Sequence, residues 1–171
     1  MHWRNSNFQY THFIFGACHT AIEAHRKCCE AIEDRHLAVL GIDTADTTIN
    51  EENVVDPYAK NRCAQARKEL EFLKECKAKL ETIIGFEPTP DDYQNNQELE
   101  WQLELEFRAE NHLLCSGTIP PEHFATMRYH PKFPEIMAHV DNIKLQLANG
   151  NSYQFLMPAW KKEIGLLENK P

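Results

Sequence analysis

A chain of 171 residues, 42% hydrophobic and 26% charged, can bury a core without disulfide or metal staples and is too apolar to stay disordered. Mean hydropathy of -0.57, with no apolar run near the ~20 residues that a spanning helix needs, argues against a membrane partner. The opening MHWRNSNFQYTHFIF lacks the apolar stretch of a secretory signal, and a net charge of -8 argues against direct binding to nucleic acid; a single cytoplasmic domain over 1–171 is the expectation.

Glycines and prolines divide the chain into helices. Ile14, Cys18, Ala21, His25, Cys28, Ile32, His36 and Val39 recur at helical steps, which predicts a first long helix over about 10–40 closed by Gly41. A polar stretch, 41–56, follows. Pro57 then opens a second helix, about 57–84, with Cys63, Ala66, Leu70, Leu73, Lys77, Leu80 and Ile84 on one face. A proline at the first helical position costs nothing, because its missing N–H would have had no partner there. Thr89-Pro90-Asp91-Asp92 is the strongest start signal in the chain, a capping hydroxyl followed by acids over the positive end of the helix dipole.

The segment that follows, about 90–116, carries two patterns. Leu99, Trp101, Leu103, Leu105 and Phe107 alternate with polar residues as a strand would. Yet no Val, Ile or Thr occurs between Pro90 and Gly117, and Leu, Glu and Gln dominate. That composition favours helix. Its apolar side chains would surround most of the circumference, so the helix should lie between the other two with its acids reaching outward. Shorter elements are expected over about 120–129, 134–149 and 159–168. Near the end, Ile136, Val140, Ile143 and Leu147 fit a helix closed by Asn149-Gly150. Ile143, Leu145 and Leu147 also face Met157, Phe155 and Tyr153 in the register of a β-hairpin. The fold class is therefore all-α: an antiparallel three-helix core, shorter helices across one end, and either a helix end or a small hairpin at the C-terminus.

Charge is unevenly distributed. Residues 87–116 hold eight acids against one cation, Arg108, which accounts for nearly all the net charge. Glu98, Glu100, Glu104, Glu106 and Glu110 on this helix, with Phe124, Arg128 and Tyr129 just beyond it, form a candidate surface for a protein partner with a basic face. Clustered carboxylates raise the association rate toward such a surface, and aromatic side chains supply contact that salt does not screen. A regulatory or inhibitory interaction protein, not an enzyme, is the favoured class, and self-association into a homo-oligomer would also cover the apolar sides of the third helix.

The cysteines offer the alternative. Cys18, Cys28, Cys29, Cys63, Cys76 and Cys115 contain no C-x-x-C spacing, so reduced thiols are expected rather than a disulfide framework. His25, Cys29 and His36 share one stripe of the first helix, and Cys63 lies on the facing stripe of the second. A histidine and a cysteine four residues apart project side by side, which suits either a zinc site or thiol chemistry. No glycine-rich phosphate loop, nucleophile elbow, H-E-x-x-H or calcium loop occurs. A di-iron bundle would need a second Glu-x-x-His beside Glu33–His36, and the chain has none.

Overall fold

The computed structural model describes residues 11–44, 57–153 and 158–165. Within them the protein is helical, with no strand among the described residues. The helices are α1 (Ala21–Thr44), α2 (Pro57–Ile84), α3 (Pro90–Ser116), α4 (Pro121–Arg128), α5 (Phe133–Ala148) and α6 (Ala159–Glu163), preceded by a helical turn over 11–15.

The expected first helix is broken. Helical turns end at Gly16, whose added Cβ would fall 2.4 Å from the His12 carbonyl oxygen, and the chain restarts at Thr20. The Thr20 hydroxyl accepts the Glu23 N–H at 3.1 Å, so Thr20-Ala21-Ile22-Glu23 behaves as a helix cap. At the other end α1 continues through Gly41 to Thr44, so Gly41 is not a terminator. Gly85, Gly117 and Gly150 do close helices, at φ of +90°, +77° and +77°. The residues 45–56, and Phe155 and Met157 of the proposed hairpin, lie outside the described residues. Its first strand is excluded: Ile143, Leu145 and Leu147 all belong to α5, and the Asn149 N–H reaches the Leu145 carbonyl as the last helical bond, at 3.0 Å.

Two compact units emerge, one made of described residues up to Tyr93 and from Ala159 onward, the other of Gln94–Pro158. In the first, α1 and α2 run antiparallel: His25 meets Glu81, Cys28 meets Leu73, and Arg35 meets Glu69 at 3.2 Å. Their core holds Phe15, Cys18, Ala24, Cys28, Leu73, Cys76 and Leu80, closed by Trp160 and Ile164. Trp160 Nε1–H donates to the His19 carbonyl and Lys161 Nζ to the Gly16 carbonyl. The helix break thus supplies the exposed carbonyls that hold the C-terminal segment.

The second unit has its own core, in which Leu105, Ala109 and Leu113 of α3 pack with Met127 of α4 and Ile136, Val140 and Ile143 of α5. The sequence pattern suggested three long helices around one core; the buried side chains outline two. The physical reason lies in α3. Its apolar residues are not confined to one stripe, and α4 and α5 cover only one face, so Leu99, Trp101 and Phe107 remain exposed. The expectation that α3 is enclosed with all its acids outward is therefore corrected on both counts, as Glu110 shows below.

Candidate functional sites

The His25 side chain is buried in the first unit, at 1% exposure. An imidazole there must find partners for both nitrogens or bear the cost of desolvation. Nε2 lies 3.0 Å from Glu81 Oε1 on the last turns of α2. Nδ1 lies 2.6 Å from the Tyr93 hydroxyl on the first turn of α3. That turn is pinned by its cap, in which Thr89 N–H and Oγ1 both donate to Asp92 Oδ2, at 2.8 and 3.0 Å. Cys29, one helical turn after His25, places Sγ 3.7 Å from Nδ1 and 3.8 Å from the Tyr93 oxygen. Lys77, one turn before Glu81, lies 3.6 Å from the same Oε1.

The electrostatics follow from these distances. The hydrogen bond from His25 holds the Cys29 thiol below its ordinary range, against the opposing effect of burial. Burial alone would lower the His25 imidazole, but Cys29 and Glu81 together outweigh it and the net direction is up. Hydrogen bonding to His25 lowers the Glu81 carboxyl, and Lys77 adds to that. The Tyr93 hydroxyl is pushed up by burial and by the neighbouring thiol, so it stays protonated and able to donate. The neighbouring thiols differ sharply. Cys28 is fully buried, donates to the Leu73 carbonyl at 3.2 Å, and is driven upward by desolvation. Burial raises Cys76 to about 11. Such thiols are inert, whereas Cys29 is only half-buried.

Of the four residues suggested as metal ligands, the structure brings together two. His36 is exposed on the solvent side of α1 instead of sharing the buried stripe with His25. The Cys63 side chain lies outside the described residues. Among the described residues no group of three His, Cys, Asp or Glu is placed to hold a metal ion. Glu81 and Tyr93 were not legible from the sequence as members of the cluster. The only available signal was indirect: a histidine on a buried stripe calls for two polar partners.

On α3 the acids separate into classes. Glu98 is exposed, and Glu100, Glu104 and Glu106 are half-buried. Glu104 accepts from Arg108 Nε at 2.8 Å and Glu106 from Gln102 Nε2 at 3.1 Å. Glu110 departs from the expectation of a wet acid. It is 9% exposed, and its Oε1 accepts from His139 Nε2 and from the Tyr153 hydroxyl. A carboxylate drawn inside costs several kcal/mol unless it is hydrogen-bonded, and these two partners meet that need. Of the aromatic segment, Phe124 is half-buried against Phe133 in an edge-on contact of 5.8 Å, with Arg128 over its ring at 6.0 Å. His123 and His130 are buried, donating from Nε2 to the Leu105 and Glu98 carbonyls. Tyr129 stands out at 83% exposure.

Comparison with protein families, with characterised proteins and with solved structures finds no match. No helix among the described residues is long and apolar enough to cross a membrane.

Proposed function

We propose that the protein is a non-catalytic interaction or regulatory protein, in the manner of an inhibitor, that docks a basic partner protein through the outward face of α3 and the segment that follows it. The observation that carries this reading is the exposure of large apolar side chains on the most acidic helix of the chain: Leu99, Trp101 and Phe107, the last at 43%. Exposed apolar area rimmed by charge is a common mark of a binding face. Glu100, Glu104, Phe107 and Asn111 follow one another at steps of four, three and four, which places them on one stripe. At about 100° per residue Glu98 and Glu106 lie well round the helix from this stripe and add to it only by their charge. Carboxylates steer a basic partner into contact, while Phe107 and the protruding Tyr129, with Arg128 beside it, provide contact that persists at high salt. Glu110 and Phe124 support the fold of this unit and do not belong to the face. A reducing, cytoplasmic setting suits the described cysteines, none of which is in a disulfide.

The test is capture from lysate over a salt series, with the bound protein identified. A basic protein retained at low salt and released as salt rises supports the reading. Replacing Glu100, Glu104 and Glu106 together by Gln should abolish that capture, and Phe107→Ala should weaken it at every salt concentration. Capture unchanged in the triple variant removes the acidic face from the explanation. Recovery of the chain's own copies alone replaces the foreign partner with a homo-oligomer.

A further inference from the structure

We propose that Cys29 is a nucleophilic thiol, served by His25 as proton acceptor with Glu81 and Tyr93 as positioning residues, and that it reacts with low-molecular-weight disulfides by exchange. Side chains from three helices form one cluster with Cys29: His25 and Tyr93 approach its sulfur at 3.7 and 3.8 Å, and Glu81 stands behind His25. Glu81, at 3.0 Å, accepts the Nε2 proton of His25 and so leaves Nδ1 as the nitrogen facing the thiol. Tyr93 lies within reach of both Nδ1 and Sγ, at 2.6 and 3.8 Å. In the neutral arrangement its hydroxyl donates to Nδ1 and accepts from the thiol, so the thiol proton reaches the imidazole by way of the hydroxyl. Once the thiol proton has passed to the imidazole, Nδ1–H donates to the tyrosine oxygen and the hydroxyl turns to donate to the thiolate. Both arrangements keep every buried group bonded, so moving the proton leaves no orphaned donor or acceptor.

The reaction balances without a further reagent. The Cys29 thiolate attacks one sulfur of a small disulfide RSSR, forming the Cys29–S–S–R bond as the original S–S bond breaks. The departing RS- takes the proton held on His25 and leaves as RSH. Displacement at sulfur develops no oxyanion, so a thiolate, a proton carrier and access to the sulfur suffice. Cys29 alone among the buried and half-buried thiols described here combines them. Cys28, its neighbour in sequence, points into the seam and spends its proton on the Leu73 carbonyl. The groups that face Cys29 are His25 on its own helix, Lys77 and Glu81 from α2, and Tyr93 from α3, with Glu87 holding Lys77 from 3.9 Å. The cation and the imidazole favour the thiolate, and the carboxylates act on it only through those two.

The experiment uses the intact chain and a chromogenic aromatic disulfide as probe, between about pH 5 and pH 9, the span over which a shifted thiol separates from one with an ordinary value near 8.5. Mass mapping of the modified peptides identifies the sulfur. Cys29 should be modified first below about pH 7, several-fold ahead of the exposed Cys115, since a larger thiolate fraction outweighs a lower intrinsic nucleophilicity. Glu81→Gln and Tyr93→Phe should each move the midpoint of the Cys29 rate profile to higher pH and leave the Cys115 profile where it was. Modification of Cys115 ahead of Cys29 throughout the range overturns the proposal. So does a Cys29 profile that neither variant moves. The order of modification in the unaltered protein decides the matter even if a variant proves unstable.

Discussion

Both units contain a histidine, a glutamate and a tyrosine bonded into one cluster, but with the roles exchanged. Around His25 the imidazole is the sealed member and the Glu81 carboxylate reaches toward solvent; around Glu110 the carboxylate is sealed and His139 is the part-exposed member. Tyr93 bonds the histidine, whereas Tyr153 bonds the glutamate. A buried carboxylate with two donors is a satisfied structural group, and nothing more is asked of it. A buried imidazole between a carboxylate and a hydroxyl can change its proton without losing a bond, and in the first unit a sulfur lies within reach to make use of that. Similar composition therefore yields a strut in one unit and a proton-handling site in the other.

Three measurements would break or sharpen this contrast. The largest effect should come from His25→Ala, which opens a void and strips a partner from both Glu81 and Tyr93. A loss of about 2–4 kcal/mol in urea unfolding is expected. His139→Ala should cost less, about 1–2 kcal/mol, because Glu110 keeps the Tyr153 bond; equal losses would mean that the sealed histidine holds no special position. Next in size, Tyr93→Phe and Tyr153→Phe should each lose about 0.5–1.5 kcal/mol for the missing hydroxyl bond. Only Tyr93→Phe should also change Cys29 reactivity, and a change in both variants would erase the difference between the clusters.

The smallest effect is in the pH dependence of stability. His25 is raised in the folded protein, so its contribution is complete below its unfolded value near 6.5 and fades as pH rises through the folded one. Glu81 is lowered, so its contribution is complete above about 4.3 and fades as pH falls through the folded value. Stability from the pair should therefore peak between about pH 4.3 and 6.5, and Glu81→Gln should flatten that peak. A peak unchanged in Glu81→Gln would assign it to other groups.

Legibility in the sequence tracked the range of the interaction. Pro57 and Pro90 open helices, Gly85, Gly117 and Gly150 close them, and the Leu/Glu/Gln composition of α3 prevails over its alternating pattern. Each of these is a decision among neighbours a few residues apart. The break before α1 was legible too, in Thr20-Ala21-Ile22-Glu23, but the long stripe through His25 concealed it. Gly41 misled because a glycine inside a helix costs only about 1 kcal/mol. Of the thiol cluster, the pairing of His25 with Cys29 could be read from their spacing along one helix. Glu81 and Tyr93 could not, since they come from 56 and 68 residues away and carry no local mark.

What the amino-acid order determined alone was the set of helices, the concentration of acid on one of them, and the placing of an imidazole and a thiol one turn apart. Those outcomes rest on backbone preference, capping and periodicity, which act over one or two turns. Only the tertiary structure decided that α3 builds its core with α4 and α5, that Glu110 turns inward while Phe107 stays wet, and that Cys29 gains a proton acceptor while Cys28 is sealed. Those outcomes depend on which surfaces close over which side chains, and burial is a property of the packed chain that no single helix possesses.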